Sequence, residues 1–308
     1  MSAAIAIWCL TDNKPGHRSQ LLGLGQALTD RINGQLYWLA VGKEAKTGAA
    51  QLARQQKPTL ILCAGHRTHW QALGLRWRYG GKLIVLLKPS LPTWLFNLCV
   101  IPEHDQPGQG PRILSTCGTL NDIHPTTHAD PKHSLLLIGG PSHNHGWDEA
   151  DMLQQLKNLV ASQPEQHWLL TTSRRTPAHF ITALSSLANN NFKVVPVEET
   201  DRDWLRRQYA RCGRIWVSED SASMVYEALT AGAQVGILAV PRLRQSRVSR
   251  GLDQLLQQGR VTSLAALCET GSMSPVGTSL NEAARVAGEL LTRFDLAQAI
   301  TTGNPSAP

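Results

Sequence analysis

Short apolar runs alternate with stretches of helical periodicity along most of the chain. Residues 5–10, 36–41, 59–64, 83–87 and 98–101 read as strands, with helices over 19–32, 47–56 and 68–79 between the first four. Runs that stay apolar without alternating belong to strands covered on both faces. The pattern therefore predicts repeated βα units around a parallel sheet. Residues 121–132, which include Pro125, Asp130 and Pro131, lack periodicity and read as a linker. The pattern then restarts, with strands at 135–138, 168–171, 193–197, 215–217 and 235–240 and helices at 149–162 and 178–188. Two Rossmann-like domains are expected, at 1–124 and 133–280. A helix near 280–294 within the segment 281–308 would pack back on the first domain, and the end of the chain would fray. Open α/β sheets bind ligands at the carboxyl ends of their strands, so two parallel sheets facing a central cleft would put the informative residues in the strand-to-helix turns.

Composition narrows the partners. The formal net charge of +7 and the pI of about 9.3 favour an anionic partner. Lys and Arg form no dense tail, so nucleic acid is not expected. A phosphorylated small molecule, an anionic glycolipid or the inner-membrane surface suits the charge better. The six cysteines include no CxxC pair and read as buried thiols of a reducing compartment. No apolar stretch reaches the roughly 20 residues that span a bilayer, and no secretory signal is evident. A cytoplasmic protein, with room for peripheral contact at the inner membrane, is expected.

Candidate chemistry concentrates in the turns. The strand at 215–217 stops at Ser218, Glu219, Asp220 and Ser221, whose side chains favour helix caps and leave the next helix's first amides free for an anion. Ser223 and Glu227 are four apart and share a helical face, and Asp220 falls close to that face. Amides, hydroxyls and a carboxylate on one surface suit a nucleotide's phosphate and ribose, although a plain capped helix uses the same residues. The turn after the first strand holds Asp12, Lys14, Gly16, His17 and Gln20. There His17 is either a general base or the hydrogen-bond partner of its own turn, and Asp12 has similar standing. In the second half Gly139 and Gly140 allow close backbone approach to a ligand. Arg174 and Arg175 offer planar donors to phosphate, or else pair with surface acids. His104 and Asp105 follow a strand and either border the cleft or cap it.

Other signals point away from cofactors. Gly23 and Gly25 lie inside the first helix and lack the third glycine of a dinucleotide fingerprint. His143, His145 and Asp148, or His66 and His69, make no complete ligand set, so no metal is expected. Trp70 and Trp77 at i, i+7 read as a helix stripe packed on the sheet.

Residues 12–20 (DNKPGHRSQ), 172–177 (TSRRTP) and 218–227 (SEDSASMVYE) together resemble the Elm-type family named after a plant mitochondrial fission protein. The likeness extends to residues 102–105 (PEHD) and to Gly139 and Gly140, and takes in most of residues 5–240. Bacterial members of that family look like glycosyltransferases of GT-B type. The resemblance implies a GT-B-like α/β fold, a nucleotide-sugar donor held mainly by the second domain, an acceptor approached from the first, and no required metal or cofactor. It implies that Gly139, Gly140, Ser173, Arg174 and Arg175 meet the diphosphate and that Ser221, Ser223 and Glu227 hold phosphate and ribose. Asp12, Lys14, Gly16, His17 and Gln20, with His104 and Asp105, would face a glycan or glycolipid acceptor of the cell envelope, such as a lipopolysaccharide core. Glu219, where a small residue is more usual, and His66, where arginine is common, depart from the family pattern. The leading reading is a transferase in which Asp12 or His17 takes the acceptor proton. A nucleotide-sugar epimerase on the same architecture and a non-catalytic adaptor at a membrane surface are the alternatives.

Overall fold

A computed structural model describes residues 4–184, 187, 190–277 and 280–296. The chain forms two compact units, Met1–Asp122 with Asn281–Pro308, and Ile123–Leu280.

The first unit is a parallel six-stranded sheet built from β1 (Ile5–Thr11), β2 (Gly34–Ala40), β3 (Leu60–Ala64), β4 (Lys82–Leu86), β5 (Leu98–Pro102) and β6 (Ile113–Thr116), in the order β2-β1-β3-β4-β5-β6. Helices α1 (Pro15–Thr29), α2 (Lys43–Gln55) and α3 (His69–Tyr79) make the crossovers. β1, β3 and β4 are apolar because both of their faces are covered. Ile7, Cys9, Leu60 and Leu62 pack toward α1, and Ala6, Trp8, Ile61 and Cys63 pack toward α2 and α3. Proline at the start of α1 suits a position whose amide has no helical partner. A β-carbon at Gly23 would overlap the Asn121 carbonyl, so this glycine serves close packing of α1.

The second unit contains β7 (Asp130–Leu137), α4 (Glu149–Ser162), β8 (His167–Thr171), α5 (Ala178–Leu184), β9 (Phe192–Val195), α6 (Arg202–Arg211), β10 (Cys212–Ser218), α7 (Ala222–Ala231), β11 (Gln234–Leu238), α8 (Arg247–Gln257), β12 (Thr262–Ser263) and α9 (Leu264–Thr270). Its sheet is also parallel, in the order β12-β11-β10-β7-β8-β9. The last helix, α10 (Glu282–Arg293), belongs to the first unit. Its Val286, Ala287 and Leu290 share a core with Leu21, Leu24 and Leu28 of α1, Arg31 donates to the Ala284 carbonyl at 2.5 Å, and Glu282 accepts from the Cys117 amide at 3.0 Å.

Three expectations need correction. The segment read as a linker already contains the start of β7, because the ladder to β10 carries a bulge between Asp130 and Ser134 that accommodates Pro131. Trp70 and Trp77 do not pack on the sheet. They stand 72% and 91% exposed, since His69, Ala72 and Leu75 fill the face of α3 that meets the strands. β6, α6, α8, β12 and α9 escaped the sequence pattern altogether. The expected fraying of the last residues concerns positions that, from 297 on, lie outside the described residues.

Four of the six cysteines are buried as expected and behave as small apolar residues: burial pushes the Cys9, Cys63 and Cys99 thiols up to about 12 and Cys212 to about 11. Cys268 is exposed and Cys117 half-buried. Thiol titration of the folded protein is therefore expected to find Cys268 reacting fast and Cys117 more slowly, with the other four reacting only after unfolding. No described helix is long and apolar enough to cross a membrane.

Candidate functional site

In each sheet the chain winds outward in one direction and then returns to the other side of its first strand. That leaves a switch point between β1 and β3 in the first unit and between β7 and β10 in the second. At such a point the two following turns diverge and leave a crevice where ligands of open sheets bind. Asp12, Lys14, Gly16, His17, Gly139, Gly140, Ser221 and Ser223 lie in these turns or at the start of the helices that follow them, whereas Ser173, Arg174 and Arg175 follow β8, the next strand beyond β7.

In the first unit β1 runs into Asp12, and Asn13 takes a left-handed conformation (φ 64°) that lets the chain double back into α1. The Asp12 carboxylate accepts from the Lys14 amide at 3.2 Å and pairs with His17 Nδ1 at 2.8 Å. Its side chain is 0% exposed and His17 is 17% exposed. Burial pushes the Asp12 pKa up, but the His17 hydrogen bond, the Lys14 amide and the charges of both residues together outweigh it. Asp12 is held below the ordinary carboxylate value. A carboxylate on Nδ1 fixes the proton there and leaves Nε2 with its lone pair, the arrangement of an oriented base. Gly65, just after β3, makes room for this pair. It sits at φ 92°, and a β-carbon there would come within 2.6 Å of the His17 ring and 3.0 Å of Asp12 Oδ2. His66 follows in a 3₁₀ turn and is exposed.

The other residues expected beside this pair are placed unequally. Lys14 and Gly16 are exposed at the start of α1, while Gln20 is buried one turn further on. His104 and Asp105 form a 3₁₀ turn after β5, three strands from β1 and thus roughly 14 Å away by strand spacing. They do not join the Asp12–His17 pair.

In the second unit the turns after β7, β8 and β10 are locked together. The Gly139 amide donates to Ser218 Oγ at 2.7 Å, and the Gly140 amide donates to Asp220 Oδ2 at 3.2 Å. Ser173 Oγ donates to the Gly139 carbonyl at 3.0 Å, and the Thr176 hydroxyl donates to the same carbonyl. Arg175 donates to the Gly140 carbonyl at 2.7 Å and to Asp220 at 2.6 Å. A β-carbon on Gly139 would fall inside the Asp220 carboxylate, and one on Gly140 would overlap the Arg175 carbonyl. The two glycines thus serve contact between protein turns, and both of their amides already have protein partners.

The arginine pair divides as a result. Arg175 clamps the turns and neutralises Asp220, whose side chain is fully buried. Arg174 is exposed and has no hydrogen bond or ion pair among the described residues. Asp220 does not share the helical face of Glu227. It precedes the N-cap residue Ser221 and turns back toward Gly140. Ser221 makes no side-chain cap, so α7 begins with its first-turn amides uncapped and with the Ser221 hydroxyl and exposed Ser223 close by. Glu227, one turn beyond Ser223, is buried and accepts from Tyr209 at 2.9 Å and from Arg202 at 3.1 Å, both on α6.

Glu219 is held by Arg242, which donates to its two oxygens at 2.9 and 3.3 Å and also reaches Asp253 at 2.8 Å. These bonds raise the Arg242 pKa. A carboxylate thus fits here without adding free negative charge to the crevice. His145 is buried beside this network. His69 bonds Ser90 at 3.1 Å, and Asp148 caps α4. Sequence reading missed the structural roles of Gly65, Ser218, Thr176, Arg202 and Tyr209, since each depends on a partner distant along the chain.

Residues 15–294 match the model of a family described as mitochondrial fission ELM1. An uncharacterized protein of Rickettsia prowazekii is 23% identical, covering 91% of this chain and 96% of its own length. Among solved structures, the glycotransferase of kitacinnamycin has a TM-score of 0.58 at 11% identity, covering 97% of this chain and 99% of that one. The UDP-GlcNAc 2-epimerase of Neisseria meningitidis, bound to UDP-GlcNAc, has a TM-score of 0.54 at 12% identity, covering 94% and 99%. Identities this low speak for the fold alone, and that fold is GT-B-like.

Proposed function

The chain belongs to the mitochondrial fission ELM1 family, and we propose that it transfers a sugar from a nucleoside-diphosphate donor to a glycan or glycolipid acceptor of the cell envelope. The observation that carries this reading is the start of α7. Uncapped first-turn amides and the Ser221 hydroxyl sit at the β7–β10 switch point, and Arg174, with no hydrogen bond or ion pair among the described residues, lies in the neighbouring turn after β8; the acids beside them, Asp220 and Glu219, are already neutralised. Such a site favours a diphosphate.

In the reaction the acceptor hydroxyl forms a bond to the anomeric carbon while the bond from that carbon to the phosphate oxygen breaks. His17 Nε2 takes the hydroxyl proton, and Asp12 stabilises the resulting imidazolium. The departing diphosphate gains negative charge, which Arg174 and the α7 amides meet with groups already in place. Ser221 and Ser223 bind phosphate. Glu227, oriented by Tyr209 and Arg202, accepts from the ribose hydroxyls through lone pairs that its protein partners leave over. In this reading Lys14 and Gly16, both exposed beside His17, contact the acceptor.

Arg174→Ala is expected to weaken binding of nucleoside diphosphates about 10- to 100-fold, the value of a charge-assisted hydrogen bond, with no change in melting temperature. Calorimetric titration checks this, and unchanged affinity removes the phosphate role.

Likeness to a 2-epimerase that binds UDP-GlcNAc supports a second reading, epimerisation of the donor. Product analysis with a labelled nucleotide sugar separates the two, because an epimerase converts it with no acceptor present.

A further inference from the structure

Between Asp30 and Glu103 the chain carries ten lysines and arginines and a single acidic residue, Glu44, an excess larger than the +7 of the whole protein. Part of this charge lies where α2 and α3 meet. Gln71 of α3 donates to the Gly42 carbonyl at 2.8 Å and accepts from the Gly42 amide at 3.0 Å, fixing the start of α2 against α3. Between them runs a groove of about 780 Å³ lined by Lys43, Lys46, Trp70, Trp77, Arg78 and Tyr79, among others. The Tyr79 ring meets buried Trp8 edge-on at 5.5 Å, which anchors the groove to the core. Trp70 and Trp77 are two turns apart on one side of α3, roughly 10 Å along its axis. Trp94, also exposed, sits in a turn beside that helix whose backbone is held by Arg76, which donates to the Leu95 carbonyl at 2.8 Å. Lys43 and Lys46 are exposed and have no ion pair among the described residues.

We infer that this α2–α3 face docks the protein on an anionic phospholipid bilayer, with the indoles in the interfacial layer and the cations against headgroup phosphates. Indoles left in water hold unfavourable apolar area, yet their N–H needs a polar neighbour, and the lipid headgroup region meets both demands. The surrounding cations match an anionic leaflet, where each basic side chain adds to binding. A second copy of the chain fits poorly, because a two-fold contact would set the same cations against one another. Single-stranded nucleic acid needs ring faces backed by a groove wall for bases to stack on, whereas Trp77 borders the groove with 91% of its surface open to solvent. The inference uses none of the residues of either turn site and does not depend on the transferase reading.

Cosedimentation of the full-length protein with vesicles tests it, using phosphatidylcholine alone and an equimolar mixture of phosphatidylcholine with phosphatidylglycerol. Wild type is expected to bind the mixed vesicles, to leave them at high salt, and to ignore the neutral ones. Changing Lys43, Lys46 and Arg78 to Gln is expected to lower partitioning roughly 100-fold. Trp70→Ala with Trp77→Ala is expected to lower it about tenfold or more. All five side chains are exposed or line the open groove, so circular dichroism and melting temperature should match wild type. The inference is overturned if wild type stays in solution with anionic vesicles, if either variant binds as well as wild type, or if the face captures an oligonucleotide and no vesicles. Concentration-dependent dimerisation abolished by the tryptophan changes would assign the face to a second copy instead and overturn it equally.

Discussion

His17→Ala is expected to lower turnover roughly a thousandfold while donor affinity stays near wild type, and to lower the melting temperature as well, because the buried Asp12 carboxylate loses the side chain that stabilises its charge. The imidazole is the one group in the first-unit turn that combines a fixed tautomer with an available lone pair, since Nδ1 is bound to Asp12 at 2.8 Å and Nε2 has no partner among the described residues. Asp12→Asn should reduce turnover less, by about 10- to 100-fold, because the amide can still orient the ring but cannot stabilise the imidazolium charge. Single-turnover measurement with a labelled donor separates this effect on chemistry from any effect on binding. Asp12 also leaves a mark on stability. Its pKa in the folded protein is below the ordinary 3.8, so its contribution is fully present at neutral pH and is lost only as the pH falls through the folded value. Turnover unaffected by His17→Ala would remove the base from the mechanism.

Gly140→Ala is expected to give a large loss of stability, about 3 kcal/mol, because the added methyl overlaps backbone atoms of Arg175 and Thr176 that no side-chain rotation can clear. In a unit of this size that corresponds to a fall in melting temperature of roughly 6 to 12 °C. The same displacement moves the turn that carries Arg174, so diphosphate affinity should drop with it. Gly74→Ala is the contrast. Gly74 is a helical position with nothing within 4 Å of a new β-carbon, and alanine there should stabilise by about 0.5–1 kcal/mol. Scanning calorimetry of both variants checks the signs.

The fold was legible because parallel strands covered on both faces are written as unbroken apolar runs, and β1, β3, β4 and β10 are of that kind. The elements that escaped carry weaker signals. β6 is four residues of alternating burial, and α6 buries little besides Tyr209 within a largely charged sequence. The tryptophans misled for a simple reason. Spacing of seven sets two residues on one side of a helix but does not say which side meets the sheet, and His69, Ala72 and Leu75 had already taken it.

The candidate site was legible by residue type and not by role. Asp12 and His17 are five apart, so their proximity was readable, but which of them orients the other became clear only from the hydrogen bond to Nδ1. Arg174 and Arg175 look equivalent in sequence, and only the fold reveals that a carboxylate 45 positions away occupies the second of them. Glu219, the departure from the family pattern, is accounted for in the same way by Arg242.

The central claim is that the start of α7, Ser221 and Arg174 hold a diphosphate. A crystal structure of the full chain grown with a nucleoside diphosphate tests it most directly. The account predicts the pyrophosphate within hydrogen-bond distance of the Arg174 guanidinium and the first-turn amides of α7, with the ribose toward Glu227. A nucleotide bound elsewhere, or bound with Arg174 turned into solvent, contradicts it.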